Sequence, residues 1–391
     1  MTSNMGDTAT EKRYTPLLIL LLVGALVATL GMWAADRAGV KQGDKSKPSA
    51  AVSGEHFHWK MVTTWPKNFP GLGIAPENFA RTVGEMSGGR LTVHVYGAGE
   101  IVPAMEVFDA VSQGVVDAGH GSAYYWKGKI PAAVFFTAMP FGLNAQEMNG
   151  WLHYGGGLEL WQEAYAPYNL VPMAGGSTGV QMAGWFNREI NSVEDLKGLK
   201  MRIPGLAGEV FAEAGGTAVT IPGGELYTSM QTGVIDALEW VGPYNDQAFG
   251  FQEVARYYYY PGWHEPGSTL EFVFNKDSLE ALPQDLQAIV KAAARAVNQD
   301  MLDEYTARNN AALQSLVNDH GVQLRRLPDD VLLALWHGTQ GALDKLVSSD
   351  PMAAKVYASY RDFYKGVRNY HHISEQAYIN ARDKAMGDDA F

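Results

Sequence analysis

The chain states one thirteen-residue phrase twice. Glu106-Val107-Phe108-Asp109-Ala110-Val111-Ser112-Gln113-Gly114-Val115-Val116-Asp117-Ala118 returns about 120 residues later as Glu225-Leu226-Tyr227-Thr228-Ser229-Met230-Gln231-Thr232-Gly233-Val234-Ile235-Asp236-Ala237. Each copy reads as an amphipathic helix, a glycine stop and a short buried strand. Two copies so far apart predict two similar α/β lobes that face a common cleft. Ligands of open α/β sheets collect just beyond the carboxyl ends of strands, so the endings matter. The first copy runs into Gly119-His120-Gly121-Ser122 and the second into Leu238-Glu239-Trp240. A functional carboxylate is therefore expected on the rim of the second lobe.

The flanking pattern supports that architecture. His58–Thr64 and Leu91–Tyr96 alternate as strands around a helical Ile74–Met86, ahead of the first repeat. Ala145–Tyr154 reads as a further helix, and Leu170–Ala174 and Val180–Asn187 as strands. The order then restarts with Leu199–Ile203, a helix at Gly208–Glu213, Ala218–Ile221 and the second repeat. Such βαβαβ order predicts mostly parallel sheets with helices on both faces. Another strand is expected at Glu271–Asn275, and long helices at Pro283–Gln314, Asp329–Val347 and Pro351–Lys384. The last carries Tyr357, Tyr360, Phe363, Tyr364 and Tyr370 and needs a surface to bury against, either its own core or a partner subunit.

Composition removes several classes of function. An apolar fraction of 47% describes a packed globular chain, and a net charge of −12 opposes nucleic-acid binding. With no cysteine there can be no disulfide, thiolate metal site or cysteine nucleophile. At the amino end, residues 1–16 carry Lys12-Arg13 ahead of an uncharged apolar stretch, Leu17–Ala35. Its length is nearer a membrane anchor than a signal-peptide core. Arg37, Lys41, Lys45 and Lys47 follow it, so loop charge does not cleanly orient such an anchor. Residues 36–54 read as a solvated linker, with the globular part starting near Glu55.

Five residues stand out chemically. Arg202 ends a predicted strand before Pro204-Gly205, where a guanidinium can hold a carboxylate through two parallel hydrogen bonds. Glu239-Trp240 closes the second repeat, and Glu265 lies in the aromatic turn Trp263-His264-Glu265-Pro266-Gly267. Gln181 starts a predicted strand. Each has an ordinary structural explanation alone. Together, two carboxylates and an amide oxygen are hard ligands suited to Na⁺, Ca²⁺ or Mg²⁺, beside an arginine for a small anion. No nucleophile elbow, phosphate loop or zinc-protease helix is present. His371-His372 reads as a surface pair, and His120 as a core or rim histidine.

The two repeat units, the segment Leu196–Pro204 and the run Val234–Pro243 resemble the DctP-type solute-binding proteins of tripartite ATP-independent periplasmic (TRAP) transporters. The likeness runs from about Phe57 to the carboxyl end and favours the branch that binds 2-oxo acids such as pyruvate, or lactate. It implies a periplasmic-binding-protein-like α/β fold of two lobes around a ligand cleft, with long C-terminal helices. Lobe I would span 56–178 with part of 266–310, lobe II 179–265 with part of 311–349, and 350–391 would form a helix exchanged in a homodimer. The resemblance assigns Arg202 to the ligand carboxylate and Gln181 and Trp240 to ligand contact. It assigns Glu239, Glu265 and the Trp240 carbonyl to a bound Na⁺ or Ca²⁺. The partners it implies are a small carboxylate and the TRAP membrane subunits, in the periplasm, with the chain cleaved free or tethered. The expectation is a binding protein rather than an enzyme. The rivals are a metal-dependent enzyme using Glu239 or Glu265 as general base, and an anchored sensor domain.

Overall fold

The computed structural model describes residues 23–32 and 54–387, in two units divided after Glu55. In the first, residues 23–32 form a helix with exposed side chains. The rest of the 17–35 stretch and nearly all of the 36–54 linker lie outside the described residues. Among the described residues no helix is long and apolar enough to cross a membrane.

The second unit carries strands β1 (Phe57–Thr63), β2 (Leu91–Tyr96), β3 (Ala118–Gly121), β4 (Leu170–Ser177), β5 (Gly184–Phe186), β6 (Lys200–Arg202), β7 (Thr217–Val219), β8 (Ala237–Leu238), β9 (Tyr257–Tyr260), β10 (Thr269–Asn275) and β11 (Gln323–Arg326). They make two sheets, in the orders β2-β1-β3-β10-β4 and β11-β9-β5-β8-β6-β7. Each sheet has a parallel trio at its centre of chemistry: β2, β1 and β3 in one, β7, β6 and β8 in the other.

The repeated phrase builds the third strand of each trio the same way. Its helices are Val107–Ser112 and Leu226–Gln231, and each ends in a left-handed glycine, Gly114 or Gly233. Only a residue without a Cβ adopts that turn freely. The repeated aspartate then fastens the new strand to its neighbour. Asp117 accepts from the Lys60 amide at 2.8 Å and Asp236 from the Lys200 amide at 2.9 Å. In return the Asp117 amide donates to the Lys60 carbonyl and the Asp236 amide to the Lys200 carbonyl.

The expectation of mostly parallel sheets needs correction. In the first sheet β10 runs antiparallel to both β3 and β4, and in the second β5 runs antiparallel to β8 and β9. The cause is how the chain crosses between lobes. β4 of the first sheet leads straight to β5 of the second, and β9 of the second returns straight to β10 of the first. These direct crossings, 178–183 and 261–268, replace helical crossovers and so reverse strand direction. They are bonded to each other: the Thr178 amide donates to the Ser268 carbonyl and the Gln181 amide to the Glu265 carbonyl. The strand expected at Val180–Asn187 shrinks to Gly184–Phe186 for the same reason, leaving Gln181 on a crossing.

The helix Gln284–Asn318 packs on β4 and helix Ile74–Met86 in the first lobe and on helix Pro243–Phe249 in the second. Helix Asp329–Ser349 packs on helix Gly205–Glu213. Tyr360 of the helix Pro351–Ile373 is fully buried against Phe135 and Trp151, and its hydroxyl accepts from the Leu143 amide. The following helix, Glu375–Met386, buries nothing.

Candidate functional site

The carboxyl ends of β6 and β8 lie side by side, with Arg202 paired to Leu238, so Arg202 and Glu239 emerge at the same level. Both are fully buried, at 1% and 0% exposure. Arg202 Nη1 donates to Glu239 Oε1 at 2.5 Å and to the Glu239 carbonyl at 3.0 Å. Its Nε donates to the Ile221 carbonyl at 3.2 Å and its Nη2 to the Tyr125 hydroxyl at 3.3 Å. Of five guanidinium N–H groups, one remains for another acceptor. The guanidinium lies 5.2 Å from the Trp240 ring centre. Burial opposes the Arg202 charge, yet Glu239 and the tyrosines hold its pKa above the ordinary value.

Gln181 and Glu265 come from the two crossings. Glu265, in the aromatic turn, is 3% exposed. Its Oε2 accepts from Gln181 Nε2 at 2.8 Å and from the Ser268 hydroxyl. Burial, reinforced by the charge of Glu239, pushes the Glu265 carboxyl up to about 7. Glu239 also meets His264, whose Nε2 is 3.2 Å from Oε2. Ligand atoms of Glu239, His264 and Glu265 all lie within 4.8 Å of one another. Among the cluster residues three buried side-chain atoms have no hydrogen-bond partner: Gln181 Oε1, Trp240 Nε1 and His264 Nδ1.

The first lobe faces this cluster with aromatic side chains. Trp65 meets Trp240 edge-on at 6.0 Å and Tyr125 at 6.2 Å. Its indole Nε1 donates to His120 Nδ1 at 2.8 Å, while His120 Nε2 donates to the Gly175 carbonyl at 3.0 Å. By the strand registers His120 is the first-lobe equivalent of Glu239. Burial lowers its pKa to about 4, so it is a neutral wall element at neutral pH. Gly223 is required where Trp240 packs, since a Cβ there would stand 2.4 Å from the indole. The His371 expected on the surface instead contacts Glu147 at 2.7 Å, far in sequence from this cluster.

All five residues singled out in the sequence thus meet in one buried cluster. Three participants were missed. Tyr125 lies in the run Tyr124-Tyr125-Trp126, Trp65 follows β1, and His264 adjoins Glu265. The position of Trp65 just past a strand end was a usable signal. Nothing in a two-residue loop spacing points His264 at Glu239.

With this geometry, similarity to known proteins becomes informative. A monocarboxylate 2-oxoacid-binding periplasmic protein of Nostoc sp. is 43% identical over 325 residues, 83% of this chain and 89% of that protein. A TRAP periplasmic solute-binding protein from Colwellia psychrerythraea, solved with bound calcium and pyruvate, is 44% identical with a TM-score of 0.81. The match covers 84% of this chain and 100% of that one. Another from Pseudoalteromonas atlantica, with bound sodium and pyruvate, is 42% identical with a TM-score of 0.81, over 83% of this chain and 99% of that one. The model of the family described as bacterial extracellular solute-binding protein, family 7 (DctP), matches residues 61–350, and this chain belongs to that family.

Proposed function

We propose that the chain captures a small 2-oxo or 2-hydroxy monocarboxylate, of pyruvate or lactate type, together with Na⁺ or Ca²⁺, and delivers it to TRAP membrane subunits. The observation that carries this reading is the buried cluster itself. It sets an arginine with one free N–H beside two carboxylates and an orphaned amide oxygen. An unpartnered buried amide oxygen is costly unless something is bound to it, and hard oxygens in this number suit Na⁺ or Ca²⁺. The donor set therefore fits the ion bound by the relatives from Colwellia and Pseudoalteromonas.

In this reading Arg202 holds the ligand carboxylate, with Gln181 and Trp240 against the ligand. Glu239, Glu265 and the Trp240 carbonyl hold the cation, which supplies positive charge for the ligand's second oxygen. The chain's own residues do the rest. Trp65, Trp240 and Tyr125 exclude water, which strengthens each polar contact. Lobes I and II, divided near 178 and again near 265, close because a ligand touching both binds the closed form better. In this reading the chain is a receptor that binds and releases its ligand unchanged, as a clamp of arginine and cation requires. It works in the periplasm, and the exposed helix Glu375–Met386 serves a homodimer.

Calorimetry with pyruvate, with and without Ca²⁺ or Na⁺, tests the reading. Cation-dependent binding with pyruvate recovered unchanged is expected. Equal binding after chelation, or conversion of pyruvate, would overturn it.

A further inference from the structure

We propose that a cavity at the edge of the first sheet is a second anion site, which takes a small carboxylate carried on an aliphatic or aromatic body. It shares no residue with the Arg202 cluster and does not depend on what that cluster binds. Strand β4 is the outermost strand of its sheet and pairs only with β10. Helix Gly157–Tyr165 and helix Gln284–Asn318 both pack on it. Between these elements lies a cavity of about 260 Å³. Met173 and Ala174 of β4, with Ala294, give it a buried apolar floor, and Leu158 adds a half-buried wall. Its volume falls below the roughly 300–1,000 Å³ of clefts for drug-sized ligands, so the occupant is small.

The charged residues that line this cavity are all basic. Lys291 and Arg295 come from one face of helix Gln284–Asn318, and no acidic side chain joins them. Like charges four residues apart on a helix repel. The other positions three and four residues from either hold only alanine, asparagine or glutamine, so the helix supplies no counter-charge of its own. Glu163, next to the lining residue Gln162, is already bound by Lys355 at 2.6 Å. Glu159 acts by charge on His153 from outside the lining, and more weakly than Arg295 does. An anion in the cavity would relieve the repulsion between the two cations.

His153, at the end of helix Ala145–Tyr154, supplies a directional group to the same cavity. Its Nε2 is shut off from water and has no hydrogen-bond partner. Buried polar atoms are nearly always paired, so an empty one calls for an explanation. Burial, and after it the charge of Arg295, lowers the pKa of this imidazole and keeps it neutral at neutral pH. A neutral ring with its hydrogen on Nε2 donates to a carboxylate oxygen, which Lys291 and Arg295 attract by charge. The apolar floor takes the remainder of the ligand, a part that phosphate or sulfate lacks.

Fluorine NMR of para-fluorobenzoate with the full chain, in the presence of pyruvate and Ca²⁺, tests the site. Saturable line broadening is expected, with binding at least tenfold weaker for the neutral para-fluorobenzyl alcohol. Lys291→Gln combined with Arg295→Gln, both exposed positions, should raise the half-saturating concentration at least tenfold. His153→Phe keeps the ring and removes the hydrogen bond, and should raise it at least threefold. Circular dichroism and pyruvate affinity should match wild type in both variants. No saturable broadening with the wild-type chain, or wild-type affinity in either variant, would overturn the proposal. So would inorganic phosphate that displaces the probe as well as hexanoate does.

Discussion

Arg202 and Glu239 already neutralise each other, so a ligand carboxylate must compete for the guanidinium. It finds one free N–H, and a two-pronged contact needs Glu239 Oε1 to let go of Nη1. A cation that draws Glu239 toward itself frees that prong, so ion and anion should bind with positive linkage, each raising the other's affinity by the same factor. Arg202→Lys keeps the charge and removes the planar fork. We expect it to weaken pyruvate binding by about 2 kcal/mol or more, roughly thirtyfold, in calorimetry at saturating Ca²⁺. Arg202→Ala should lose more, because Glu239 is then stranded without its partner. Binding of Arg202→Lys within a factor of three of wild type would remove the arginine from the anion site. The strand-end residues Arg202, Glu239 and Trp240 were readable because period and repeat fix which residue leaves a strand last. The burial of Glu265 was not readable, since it depends on Gln181 and Ser268 folding over it from the crossings. His264 was missed for the same reason.

Among the elements, β10 shows both what periodicity conveys and what it omits. The strand expected at Glu271–Asn275 is present and begins two residues earlier, at Thr269, and all seven of its residues are buried. The antiparallel direction was invisible, because alternation reads the same either way along a strand. β9 escaped notice since Tyr257–Tyr260 presents the same residue to both faces and so has no alternation to detect. β10 also carries Glu271, fully buried, accepting from the Trp126 indole and from Tyr165 Oη at 2.9 Å. No cation pairs with it among the described residues. Burial raises its pKa from 4.5 to about 7, with the two donors partly opposing the rise. The folded state therefore holds a proton that the unfolded chain has already lost. Any advantage is complete below pH 4.5 and disappears as pH rises to about 7, a difference of about 3 kcal/mol. Glu271→Gln keeps the shape and cannot ionise. Urea unfolding should show the variant gaining on wild type between pH 5 and pH 8. A parallel pH dependence of the two proteins would mean that Glu271 ionises freely in the fold.

At the scale of the whole molecule, the carboxyl-terminal helices divide into a part that belongs to the fold and a part that lacks a partner. Tyr360 is fully buried and bonded to the Leu143 amide, and Phe135 and Trp151 hold the same helix by ring contacts. Beyond it, Tyr370, Ile373, Tyr378 and Ile379 are 64%, 77%, 65% and 43% exposed. Four large apolar side chains in ten residues, on a helix end that buries nothing, are more than scattered surface residues explain. The sequence reading left this segment between packing on its own core and packing on a partner. The structure divides the answer, with aromatic residues up to Phe363 and Tyr364 packed against the core and those after them uncovered. Burying one exposed tyrosine or isoleucine is worth about 1.5–3 kcal/mol, so a second copy covering this end would gain a stable interface from few residues. Removing residues 374–391 should convert a dimer to a monomer in light scattering while leaving pyruvate affinity within about twofold, since the cluster residues described above end at Ser268. An untruncated chain already monomeric at micromolar concentration would assign this helix no role in self-association. A truncation that abolished ligand binding would instead show that the helix supports the cleft.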